Sequence, residues 1–157
     1  MRAHLERLFR HMAWADQRVL ALLAAIPDDP QPEPRRLFSH VLAAERVWLL
    51  RLRGEDSVVQ PIWPMYSLEE LAELARRNRE EYARYLEGCG DDALAAEVEY
   101  RNTQGTEFRT AVSDVLLQVF LHGAYHRGQI AAAVRGAGRE PVNTDFITFA
   151  REPAPSA

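Results

Sequence analysis

The 157 residues suit one domain, residues 1–157, with enough chain to bury a core without disulfides or a structural metal. A net charge of -4 leaves no basic face for a phosphate backbone, and 19 basic residues that are all arginine exclude Schiff-base chemistry on a lysine and a phosphate-loop lysine. No apolar run of about 18 residues exists, and charges are spread through MRAHLERLFRHMAW, unlike the apolar stretch of a signal peptide, so the expectation is a cytoplasmic protein with neither nucleic acid nor membrane as partner.

Taken in order, the chain reads as helices separated by punctuation. In the first, Leu5, Leu8, Met12, Ala15, Val19, Leu22 and Ile26 alternate spacings of three and four, the pattern of a bundle seam. His4 and His11 fall beside that seam and read as boundary or surface residues. The run ends at the proline cluster PDDPQPEP, residues 27–34. A second helix, from about Arg35 to Arg53, carries Leu37, His40, Val41, Ala44, Val47 and Trp48 on one broad face, which points His40 inward. The loop GEDSVVQPIWPMY follows and either covers a pocket or packs across the bundle end.

Ser67 with Glu70 forms a capping box that opens a third helix, with Leu68, Leu71, Ala75, Tyr82 and Tyr85 on its seam and its end before Gly88. Cys89, the single cysteine, lies in a loop between two glycines with no disulfide partner and no activating pattern, and reads as a bystander. Between Val98 and Thr110 the pattern shortens to alternation around NTQG, a small hairpin or an extended crossover. The fourth long helix runs from near Ala111 to about Arg135, ended by Gly136 and Gly138. Its seam is Val112, Val115, Val119, His122, His126, Gln129 and Ala133, while Leu116, Phe120, Ile130 and Val134 form a second apolar stripe, the expected surface of a homodimer.

Three histidines carry the chemistry. Residues four apart share a helix face, so His122 and His126 present two imidazoles to one point, and the inward His40 of another helix supplies a third. A lone histidine on an apolar face is commonly a hydrogen-bonded core residue, and burying two without partners costs free energy. Three imidazole nitrogens with a position left open instead make a catalytic type of metal site. Zinc, nickel, iron and manganese all accept imidazole, so the residues name a divalent cation without choosing it. Glu45, Arg127 and Gln129 are candidates for orienting a ligand ring or touching substrate, against the plainer alternative of bundle surface or interhelical hydrogen bonds.

The segment HGAYHRGQIAAAVRGAGREPVNTDFITF resembles the C-terminal signature of the DinB-like metal-binding proteins, a helix with H-x-x-x-H-R-G-Q followed by a glycine turn and a D-F tail. HMAWADQRVL and FSHVLAAERVWLLRLRG are similar to the family's first and second helices, with the single histidine in place. The resemblance implies an all-α four-helix bundle of up-down-down-up topology, often a homodimer, with a divalent metal on the matching His40, His122 and His126. It also implies a function among thiol-dependent S-transferases and isomerases that use bacillithiol or mycothiol, or among metal-dependent hydrolases; a non-catalytic metal-binding stress-response dimer is the alternative reading of the same residues. Asp16 stands where many relatives carry asparagine, and reads as a helix-surface residue or one placed behind the ligands. No acidic residue accompanies His122 and His126 as the glutamate does in H-E-x-x-H, which favours thiol transfer over hydrolysis. With Cys89 poorly placed, the thiol is expected to be a low-molecular-weight cofactor acting on a small-molecule substrate, and the sequence assigns no catalytic side chain.

Overall fold

The helical periodicity becomes six helices and one hairpin among residues 1–26, 32–58 and 60–152, those described by the computed structural model. The four long helices are α1 (Arg2–Ala24), α2 (Glu33–Leu52), α3 (Leu68–Glu87) and α5 (Val112–Gly136). Helix α1 closes just before the proline cluster, most of which, residues 27–31, lies outside the described residues. The capping box of α3 is formed as the sequence predicts: the Glu70 amide donates to Ser67 Oγ at 3.2 Å and the Ser67 amide to Glu70 Oε2 at 2.8 Å. Gly138, at φ +74, supplies the left-handed residue that ends α5, and the Arg139 amide returns to the Val134 carbonyl at 3.1 Å.

The alternating segment is a hairpin, β1 (Glu97–Arg101) paired antiparallel with β2 (Glu107–Ala111), Tyr100 opposite Phe108. Tyr100 meets Trp48 edge to face, with centroids 5.3 Å apart, and the buried Arg51 guanidinium lies over both rings, so the hairpin is fastened to the end of α2. Two short helices were not expected, α4 (Asp91–Ala95) and α6 (Phe146–Arg151).

In the bundle, α1 lies mainly against α3 and α2 mainly against α5, while the consecutive α1 and α2 scarcely touch. Two apolar clusters fill the interior. One contains Leu5, Phe9, Met12, Leu49, Tyr82, Val115 and Val119, the other Val19, Leu23, Phe38, Val41, Leu42, Leu71, Ile130 and Val134. On every long helix a buried polar residue falls between the two: Asp16 on α1, Glu45 on α2, Asn78 on α3 and Arg127 on α5. They form one layer across mid-bundle. Arg127 Nη1 donates to Asp16 Oδ1 at 2.9 Å, and Asn78 Nδ2 donates to Glu45 Oε2 and to the Leu42 carbonyl, both at 3.0 Å. The Tyr82 hydroxyl donates to the Glu45 carbonyl at 2.7 Å.

Two expectations are corrected here, the apolar stripe of α5 and His11, and one left open, Asp16, is narrowed. Leu116, Ile130 and Val134, read as a surface stripe for a second copy, are core residues of this one, and Phe120 is half-buried beside His11. The stripe is continued through Gly123 and Arg127, so α5 buries a face broad enough to include it. Arg127 fits there because a Cβ on Gly123 would stand 2.9 Å from its Nη1. Of the two readings open for Asp16, burial removes the helix-surface one, and its guanidinium partner makes that burial tolerable. His11 is buried as well: the tail after α5 folds back, His11 Nε2 lies 2.8 Å from the Thr144 carbonyl, and Trp14, Phe120, Phe146 and Phe149 ring the imidazole. His4 is exposed as read.

Burial, with the adjacent Asp16 carboxylate adding to it, pushes the Glu45 carboxyl well up, against the Arg127 guanidinium and the Asn78 amide, and burial raises Asp16 as well, against Arg127. The layer thus favours the neutral form of Glu45 beside the Arg127–Asp16 ion pair. Glu45→Gln, which keeps the shape of the protonated acid, is expected to change the free energy of urea unfolding at neutral pH by no more than about 1 kcal/mol. Arg127→Met strands a buried carboxylate and should cost about 3–5 kcal/mol in the same measurement.

Candidate metal centre

The facing helices α2 and α5 bring His40, His122 and His126 together at the level of the polar layer. One turn of α5 sets His122 and His126 on a common face, and His40 reaches them from α2. Their Nε2 atoms converge: His122 Nε2 is 3.2 Å from that of His40 and 3.1 Å from that of His126. All three ligand atoms lie within 4.8 Å of one another. His40 and His126 are buried, and His122 is partly exposed.

The other ring nitrogens decide what the converging ones are. His40 Nδ1 lies 2.7 Å from the Ile62 carbonyl, and His126 Nδ1 lies 2.7 Å from Gln129 Oε1. Both partners accept only, so each Nδ1 carries the hydrogen and each Nε2 presents a lone pair. Gln129 is itself held by its Nε2, which donates to the Tyr125 hydroxyl at 3.2 Å. His122 has at most one hydrogen to offer from Nε2, and two lone pairs face it. The set holds more acceptors than donors, a deficit that a cation fills. Nitrogens bound to one ion at about 2.1 Å in tetrahedral or octahedral geometry stand about 3.0–3.4 Å apart, and the observed contacts of 3.1 and 3.2 Å match that span. In two of its three spacings, and in its chemistry, the donor set fits a metal ion.

Electrostatics agree. Burial pushes the His122 imidazole down to about 4, with His126 and His40 adding to the shift. Burial likewise lowers His40, against the opposing pull of the Ile62 carbonyl. Rings held neutral in this way have lone pairs free for a metal near neutral pH.

Residues 1–155 match the family model described as DinB family. This chain belongs to the DinB family. It is also 26% identical over 156 residues to Protein DinB of Bacillus subtilis (strain 168), an alignment covering 89% of this chain and 90% of that protein.

Of the further residues singled out in this DinB-family sequence, Gln129 meets the His126 ring, whereas Glu45 and Arg127 belong to the interhelical layer behind the site. The loop after α2 reaches the site, through the Ile62 carbonyl and through Trp63, whose indole stacks on His40 with centroids 3.7 Å apart and planes 8° from parallel. Neither contact was foreseen. A carbonyl carries no side-chain signal, and Trp63 was one apolar residue among several in an irregular stretch. Cys89 is buried and its thiol is pushed up by that burial, consistent with a bystander.

The depressed histidines fix a sign. Above about pH 6.5 these rings are neutral whether the chain is folded or unfolded; as pH falls toward 4, the unfolded chain takes protons that the folded site refuses. The metal-free protein is expected to lose stability across that window, and His122→Ala to flatten the loss, as checked by urea unfolding at stepped pH.

Proposed function

We propose that this DinB-family chain holds one divalent cation on His40, His122 and His126 and uses it to activate a low-molecular-weight thiol for transfer to an electrophilic small molecule. The observation that carries the proposal is the convergence of three Nε2 atoms while two Nδ1 hydrogens are already committed to Ile62 and Gln129. A cation there supplies the positive charge that lowers the pKa of a thiol or water brought to it.

The chain's own residues favour thiol over water. Among the described residues, the acceptors on the ligand rings are a backbone carbonyl and an amide, neither of which serves as a general base. Glu45 is a carboxyl on the same helix as His40, but it is buried in the bundle, pushed toward its neutral form, and accepts from Asn78. Cys89 belongs to the buried cluster of Phe9, Tyr82 and Leu94, so the reacting sulfur comes from outside the chain. His122, the least buried ligand, marks the side from which thiol and substrate approach. The two orienting contacts keep the rings of His40 and His126 from turning their N–H toward the reacting groups.

His122→Ala is expected to drop metal content from stoichiometric to a small fraction while leaving the helical circular dichroism intact, because the apolar clusters on either side of the layer do not depend on the ion. Conjugation of an electrophile should require both metal and added thiol. Ester or amide hydrolysis at full rate without any thiol contradicts the proposal, and stoichiometric metal with neither activity identifies a metal-holding protein instead.

A further inference from the structure

Trp63 is a large apolar side chain, 51% exposed, yet it is tightly arranged. Its indole is stacked face to face on the His40 imidazole, and the Arg36 guanidinium, one turn before His40 on α2, lies 4.7 Å from the centroid of the same indole. The edge of the His126 ring also approaches it, with centroids 6.2 Å apart and planes at 86°. The preceding residue, Ile62, provides the carbonyl that accepts from His40 Nδ1. Two consecutive residues of one loop thus restrain a single ligand ring, one through its plane and one through its edge. The loop is itself tied to the fold at both ends. Ser57 Oγ accepts from Arg51 Nε at 3.2 Å, and Ser39 Oγ, on the residue before His40, accepts from the Tyr66 amide at 3.2 Å.

An imidazole in a helix has two torsions, and a hydrogen bond at Nδ1 still allows the plane to rock about the Nδ1–acceptor line. A flat surface against the ring removes that freedom. The contact is also sensitive to what the ring binds: coordination withdraws electron density from imidazole and makes it partly cationic, and a π face attracts a cationic ring more than a neutral one. A contact stronger in the bound than in the free state raises affinity for the ion, and by reciprocity the ion steadies the contact.

We infer that Trp63 is a positioning residue of the metal centre, holding the His40 ring so that Nε2 points at His122 and His126, and that segment 60–66 is thereby coupled to metal binding. The inference rests on the reading of the triad as a metal site and adds to it the partner that sets the site's affinity.

The test is titration of the metal-free protein with zinc(II) in competition with a chromogenic chelator, for wild type, Trp63→Ala and Trp63→Phe. Trp63→Ala should bind zinc about tenfold or more weakly, in the range found for groups that orient ligands. Trp63→Phe, which restores a flat ring, should recover most of the affinity, and the urea midpoint of the metal-free protein should be the same for all three. Wild-type affinity in Trp63→Ala overturns the inference, as does a phenylalanine variant as weak as the alanine one. A loss of metal-free stability equal to the loss of binding also overturns it, since Trp63 then acts on the fold and not on the ligand. A second measurement needs no variant: hydrogen exchange of segment 60–66 in the wild type should slow on zinc addition, and unchanged exchange counts against the coupling. Wild type that takes up no zinc ends the metal reading itself, an outcome visible in the first titration and distinct from failure of the Trp63 inference alone.

Discussion

A guanidinium and a carboxylate 2.9 Å apart in the middle of the bundle set the geometry on which the rest depends. Arg127 and Asp16 are both buried, so neither tolerates separation: pulling them apart leaves a charge in a medium that cannot solvate it. The pair fixes the roll of α5 against α1, and Glu45 with Asn78 extends the same constraint to α2 and α3. His126 precedes Arg127 by one residue and His122 precedes it by five. Once Arg127 is committed to Asp16, those two histidines have one direction left to face, toward α2.

On that scaffold three histidines converge in a set positioned to bind a metal ion. The surrounding contacts hold the rings in place: the Ile62 carbonyl and Trp63 on His40, Gln129 and through it Tyr125 on His126. Apolar clusters above and below supply the stability of the bundle around the site. The division of labour explains why the polar residues fall into two groups with different work, one set neutral and internal that aligns helices, the other at the α2–α5 edge and able to meet a ligand.

The histidines were legible in the sequence because they interrupt an apolar seam at matching positions, and the helices because their periodicity and caps agree. The capping box at Ser67, the glycine stop after α5 and the hairpin around NTQG are local signals, read from neighbours in the chain. The polar layer was less visible, since its members are spread over four helices and the three charged ones look like ordinary surface residues next to a seam. Asn78 offered the clearest hint: it lies four residues before Tyr82 and three after Ala75, on the seam itself, where an amide needs a partner. The stripe of Leu116, Ile130 and Val134 was assigned to a second copy because the gap in it, Gly123 and Arg127, hid its continuity through the core. His11 depended on a tail that packs back from the far end of the chain, which no local pattern announces.

X-ray absorption spectroscopy of the protein reconstituted with zinc tests the central claim most directly. Three imidazoles at about 2.0–2.1 Å, seen through the multiple scattering of their rings and completed by light-atom ligands, are the predicted first shell. A shell containing a sulfur from Cys89, or one built from oxygen with fewer than two imidazoles, contradicts the assignment of His40, His122 and His126 as the metal centre.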